Sequence, residues 1–249
     1  MAKKSLLIGI NYIGTPNKLR GCHNDIKNVK EYLLTAGFSE AYMSVLLDSP
    51  GHTYPTKKNI IMAMKNLVSD AKVGDFLYIH YSGHGSSTRD WNGDEVDGKD
   101  ELICSLDGFI VDDELFQVLI ADLPEGVKLR VVFDCCHSGS ALDLCYRYMH
   151  GNKLFLETKE REANKDVILL SGCKDAETSA DAYIEKDYTG ALTWAYLKSL
   201  KFGREYCKEM NWKDLLLKIR FSLKKGGYTQ VPQLSTCNKS LLNIGVDLF

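Results

Sequence analysis

The run DFLYIHYSGHG (residues 75–85) decides how this chain is read. Its first seven residues are nearly continuous apolar sequence, the mark of a strand buried on both faces at the centre of a parallel sheet. It then breaks into a polar tip flanked by glycines. A second run, KLRVVFDCCHSG (residues 128–139), repeats the pattern: a buried strand, then Asp134-Cys135-Cys136 and another glycine-flanked tip. The carboxyl ends of parallel strands line one edge of a sheet, and ligands bind there. His84 and Cys136 are 52 residues apart in sequence, yet this topology makes them neighbours in space. A thiol becomes a useful nucleophile beside a base or a cation, and imidazole titrates in the right range.

Outward from these strands, apolar runs alternate with amphipathic segments, as in an α/β sheet protein. Ser5–Asn11, Tyr42–Leu47, Asp166–Ser171 and Gln230–Ser235 read as further strands, and Glu101–Cys104 with Phe109–Val111 as a short hairpin. Asn24 is expected to cap a helix closed by Gly37, and Thr56 a second one carrying Ile60, Ile61, Met64, Leu67, Val68 and Ala71 inward. Asp112 and Asp113 open a third, their charge suiting the helix dipole. Thr189–Leu200 and Trp212–Leu223 complete the helices. The expected organisation is one domain, 1–249, in two parts, 1–147 and 166–249, joined by an exposed connector over 148–165. An exposed polar segment of that kind is a protease site rather than a domain boundary.

Composition narrows the function. The chain has 249 residues, 45% of them hydrophobic and 26% charged, which is ordinary for a globular protein and excludes a collagen or a disordered chain. Lys and Arg total 31 against 33 acids, a formal charge of −2 that disfavours a nucleic-acid binder. Eight cysteines form no paired C-x-x-C zinc spacing. The apolar run Leu6–Ile10 is too short for a secretory signal, and no stretch is long enough to span a membrane. The expectation is a cytoplasmic protein with reduced, mostly buried thiols.

The tips, with their neighbours, carry a family resemblance. YSGHG followed by the D-x-C-H-S-G element resembles the metacaspases, cysteine peptidases of the caspase fold. Leu19–Asp25 (LRGCHND), GDEVDGKDE (residues 93–101), IVDDE (110–114), SALDL (140–144), YTGALT (188–193) and PQLS (232–235) also fit the family, in its order. The order is similar to a type I metacaspase, without an N-terminal prodomain. The resemblance implies a caspase-like three-layer α/β/α sandwich around a mostly parallel twisted sheet. It implies a monomeric cysteine endopeptidase acting on proteins or peptides. The caspase signature Q-A-C-[RQG]-G is absent, which disfavours cleavage after Asp.

The family motif places the nucleophile directly before His-Ser-Gly, at Cys136. Alternation agrees: if the strand persists, Asp134 and Cys136 point one way and Cys135 points into packing. By the resemblance, His84 is the general acid and base, and the backbone N–H groups of Gly85 and Cys136 form the oxyanion hole. Cys22, Asp25, Ser82 and Asp134 correspond to the family's specificity pocket. Carboxylates in a partly dehydrated pocket select a cationic side chain, which implies cleavage after Arg or Lys.

Residues 84–113 hold nine acids against Arg89 and Lys99, a local charge of −7 that leaves +5 for the remainder. Crowded carboxylates point to a hard cation such as Ca²⁺. Asp90, Asn92, Asp94 and Glu101 fit positions one, three, five and twelve of an EF-hand loop, but Glu95 stands where the turn needs glycine, and no helix enters. The resemblance instead implies Asp100, Asp112, Asp113 and Asp143 as Ca²⁺ ligands, with Asp97 the alternative to Asp100. It also implies self-cleavage in the connector, which offers Lys153, Lys159, Arg161 and Lys165. The rival readings are a non-catalytic calcium-responsive or quality-control scaffold of the same fold, disfavoured because both His84 and Cys136 are present, and a Cys/His metal protein, disfavoured because Cys135, Cys136 and His137 are consecutive.

Overall fold

A computed structural model of the chain describes residues 1–89, 99–136, 141–149, 153–157, 165–172, 181–184, 187–206 and 209–248. Five strands run parallel: β1 (Lys3–Gly9), β2 (Met43–Leu47), β3 (Phe76–Ser82), β7 (Lys128–Asp134) and β10 (Asp166–Ser171). Between β3 and β7 lie β4 (Gly85–Arg89), β5 (Lys99–Cys104) and β6 (Phe109–Val111), a separate antiparallel sheet. The hairpin read from sequence is therefore three-stranded. Its extra strand, GSSTR, is too polar to announce itself by alternation.

The main sheet has the order β2-β1-β3-β7-β10-β13-β8-β9. Three short strands extend it antiparallel: β8 (Tyr146–Tyr148), β9 (Leu154–Leu156) and β13 (Gln233–Thr236). Part of the expected connector thus pairs with the sheet. A two-stranded hairpin, β11 (Asp181–Ile184) and β12 (Asp187–Gly190), stands apart.

Strand alternation divides the interior into two layers. Leu6, Ile8, Leu77, Ile79, Tyr81, Leu129, Val131 and Phe133 pack on one face, against α2 (Lys57–Ser69) and α3 (Asp112–Phe116). Leu7, Phe76, Tyr78 and Val132 pack on the other, against α1 (Cys22–Thr35), α4 (Ala191–Tyr206) and α5 (Trp212–Lys225). This is the expected three-layer sandwich. Arg130 on β7 is fully buried in it, held by Asp166 at 2.7 Å and Asp247 at 2.8 Å.

The two helix caps expected from polar residues differ in outcome. Thr56 does cap α2, accepting from Asn59 N at 3.3 Å. Asn24 does not cap α1, which begins two residues earlier after Gly21. Its side chain instead donates to Asp187 Oδ1 and the Tyr188 carbonyl, each at 2.9 Å, tying α1 to the β11–β12 hairpin.

Candidate active site

The carboxyl ends of β3 and β7 are adjacent, with Ser82 in register with Asp134. The chain turns sharply after each. Gly85 lies so close to the second turn that a Cβ there would collide with the Cys136 carbonyl oxygen and stand 2.9 Å from Cys135 Sγ. The two glycine-flanked tips therefore meet, as the topology required. Cys135 is fully buried with Phe133 in the α2/α3 layer, while Cys136 is partly exposed. The strand ends at Asp134, short of both cysteines, but Cys135 still faces packing as expected. His137, Ser138 and Gly139 lie outside the described residues, as do Cys173 and Cys207. The six described cysteines form no disulfide.

His84 is half-buried and firmly oriented. Its Nε2 lies 2.7 Å from the Asn17 carbonyl. A carbonyl only accepts, so Nε2 carries the proton, and in the neutral ring Nδ1 keeps the lone pair. The Tyr12 ring lies against it, centroids 4.6 Å apart. Two buried tyrosine hydroxyls bracket the His84 peptide: Tyr12 Oη accepts from His84 N at 2.9 Å, and Tyr81 Oη donates to the His84 carbonyl at 2.6 Å. The hydroxyls are 3.1 Å apart and both reach the Cys104 carbonyl. Gly83 leaves room for them, since a Cβ there would stand 2.6 Å from Tyr81 Oη. Tyr12 itself has φ 49°, an uncommon backbone for a large residue. Asp48 holds that turn, accepting from Asn11 N at 2.8 Å and Ile13 N at 3.0 Å. With His23 Nε2 at 2.6 Å, these bonds hold the Asp48 carboxyl below its usual range despite burial.

On the α1/α4 side, Asp25 and Asp134 converge. Asp25 accepts from Ser82 Oγ at 2.6 Å, Thr189 Oγ1 at 2.5 Å and Gly190 N at 2.9 Å. Asp134 Oδ2 accepts from Thr193 N at 2.8 Å and Thr193 Oγ1 at 2.7 Å. Gly190 fits between them; a Cβ there would collide with Asp134 Oδ2 and stand 2.9 Å from Asp25 Oδ2. Both acids are buried. Burial, and then the Asp134 charge, push the Asp25 carboxyl up to about 8, and burial also raises Asp134. Two like charges in a dehydrated site cannot both ionise cheaply. Three of the four residues assigned to the pocket, Asp25, Ser82 and Asp134, thus come together. Cys22, one turn earlier on α1, is buried with Tyr12 and Leu19. Thr189, Gly190 and Thr193 were not assigned roles; their only signal was the YTGALT match.

The acidic segment assembles in part. Asp112 is buried and accepts from the backbone N–H of Glu101 at 2.6 Å and of Asp113 at 2.9 Å. Burial first, then the charges of Asp143 and Glu101, push its carboxyl up to about 8. Asp143 is also buried, with φ 45°. Glu101 was not expected in this cluster. Asp100 lies on β5 opposite Thr88, and Asp113 is half-buried in the first turn of α3. Among the described residues, no three His, Cys, Asp or Glu side chains stand in metal-ligating geometry. Asp90, Asp94, Glu95 and Asp97 lie outside the described residues.

Residues 3–145 match the family model described as the metacaspase, peptidase C14 domain. The chain is 39% identical to Metacaspase-1 of Meyerozyma guilliermondii, over 97% of this chain and 71% of that protein. It is 37% identical to Metacaspase-1B of Aspergillus fumigatus, with the same coverage. Among solved structures it resembles a Geobacter sulfurreducens protein, with TM-score 0.69, 24% identity and 97% of each chain covered. It also resembles Caspase-1 of Spodoptera frugiperda, with TM-score 0.57, 13% identity and 94% and 86% covered. These last two show the fold alone. By the family model over more than half its length and by its close sequence relatives, the chain belongs to the metacaspase family of cysteine peptidases.

Proposed function

We propose that this metacaspase is an endopeptidase cleaving after Arg or Lys, with Cys136 as nucleophile and His84 as general acid and base. The observation that carries the reading is the Asp25–Asp134 pair, buried beside the junction of Gly85 and Cys136. A guanidinium or ammonium supplies the charge this pair lacks, and Arg meets carboxylates bidentately. His84 Nδ1, with the ring held by the Asn17 carbonyl, takes the thiol proton as Cys136 Sγ bonds to the substrate carbonyl carbon. The Gly85 and Cys136 N–H groups stabilise the oxyanion. The C–N bond breaks, the amine leaves with the proton from His84, and a thioester remains. Water then attacks, His84 accepts its proton, and the released thiolate recovers it.

Asp100, Asp112, Asp113 and Asp143 are the residues that would hold Ca²⁺. The fit rests on Asp112 and Asp143, buried carboxylates whose repulsion a hard cation would relieve. A bound ion would supply positive charge that orders these loops beside the site. Within the connector, Lys153 is exposed between β8 and β9 and suits self-cleavage. Lys165 suits it poorly, because its Nζ donates to the Ile120 carbonyl and, at 2.6 Å, to that of Ala121. Lys159 and Arg161 lie outside the described residues. The substrates are proteins or peptides, and the working state is a monomer. Among the described residues no helix is long and apolar enough to cross a membrane.

The test is a Ca²⁺ titration of Arg- and Asp-terminated reporter cleavage by wild type and Cys136→Ala. Cleavage of the Arg reporter alone, rising with Ca²⁺ and lost in Cys136→Ala, is expected. Preference for Asp overturns the pocket assignment, and full activity in excess chelator overturns the calcium assignment.

A further inference from the structure

We propose that a cavity on the far side of His84 from the acid pair receives the side chain of the residue just after the scissile bond, and selects a large apolar one. The proposal rests on the peptidase reading above. The main sheet separates two layers. The acid pair reaches Thr189, Gly190 and Thr193 on the α1/α4 side. Tyr12, Tyr81 and Ile103, which support His84 and the small sheet, belong to the opposite layer. A substrate with its basic side chain at the acid pair crosses the sheet edge at Gly85 and Cys136, then continues toward that opposite layer. His84 must lie on this side, because it hands its proton to the leaving amine.

The structure has a cavity there of about 460 Å³, within the range of ligand sites. His84, Gly85, Tyr12, Leu106, Gly108 and Phe109 line it. Several of its polar groups are engaged internally. The Asn17 carbonyl accepts from His84, Thr15 Oγ1 donates to the Tyr12 carbonyl, and Ser105 Oγ bonds Asp107 and the Gly108 carbonyl. The Cys104 thiol is kept neutral, pushed up to about 11 by burial. No Asp, Glu, Lys or Arg side chain lines the cavity among the described residues. Phe109 is 59% exposed on β6, an aromatic ring with a face for an incoming side chain. Burying a Leu or Phe against these walls favours such substrates about tenfold over Gly, and Asp is disfavoured because its charge would lose water against Leu106 and Phe109.

The experiment uses internally quenched peptides with Arg before the bond and Gly, Leu, Phe or Asp after it. Wild type is expected to show a Leu:Gly ratio in kcat/KM of about ten. In Phe109→Ala and in Leu106→Ala the ratio is expected to fall below about three, and Phe109→Lys is expected to raise Asp above Gly. A wild-type ratio within about twofold of one, or a tenfold ratio surviving in both alanine variants, overturns the pocket while leaving the peptidase reading intact. No turnover of any of the Arg peptides by wild type overturns that reading, and the pocket with it.

Discussion

Replacing Asp25 with Asn removes one charge from the buried pair while keeping its shape. Thr189 Oγ1 and Gly190 N still find an oxygen acceptor, and Ser82 Oγ can accept from the new amide. The consequence is a change in how stability depends on pH. The Asp25 carboxyl sits at about 8 when folded, against an ordinary value of 3.8. The native state therefore holds a proton that the unfolded chain has released, and stability falls as pH rises through the folded value. From pH 6 to pH 8, one such group lowers wild-type stability by about 2 kcal/mol. An amide at this position cannot contribute this loss, so Asp25→Asn should gain about 2 kcal/mol on wild type across the interval. Groups distant from the pair are common to both proteins and cancel in the difference, which therefore reports the Asp25–Asp134 pair as a unit. Urea denaturation at pH 6, 7 and 8 reads it directly. The same substitution should lower kcat/KM on an Arg reporter by about 10- to 100-fold, as one charge-assisted bond is lost. Wild type should bind Arg substrates more tightly as pH rises toward 8, because the cation displaces the proton that the raised Asp25 carboxyl holds. Parallel stability profiles for the two proteins would refute the raised carboxyl.

Further outcomes follow from the same geometry. Tyr81→Phe removes the hydroxyl that grips the His84 carbonyl, which keeps its bond from Cys104 N at 3.0 Å; kcat should fall about three- to tenfold with KM little changed, at about 1 kcal/mol of stability. Steady-state kinetics separates this positioning role from a general loss of fold. Cys136→Ala should abolish turnover without lowering the melting temperature, whereas Cys135→Ala should retain turnover and cost about 1 kcal/mol of core packing. Gly85→Ala should fold but lose most activity, because its methyl group strikes the Cys136 carbonyl. Arg130→Ala should cost about 3 kcal/mol, roughly 6–12 °C in melting temperature, by taking the cation from Asp166 and leaving Asp247 with Lys128 alone.

The sequence alone determined the architecture and the two tips that meet at the sheet edge. Continuous apolar runs such as DFLYIHY and KLRVVF have one use in a chain of this composition, as strands covered on both faces. Parallel connection then brings their carboxyl ends together whatever lies between them. Alternation sufficed to put Cys135 in the core. Polar contacts were another matter. Asn24 could serve as a cap or as a tie to another element, and only the placement of β11–β12 decided it. The same holds for the tyrosine bracket around His84, which joins residues 12, 81 and 104, and for the three-residue cradle around the acid pair. Such contacts depend on the relative positions of segments far apart in the chain, set by the packing of whole layers. Local pattern carries no record of them. The family resemblance named the aspartates of the pair, but only folding buried them together and raised both carboxyls.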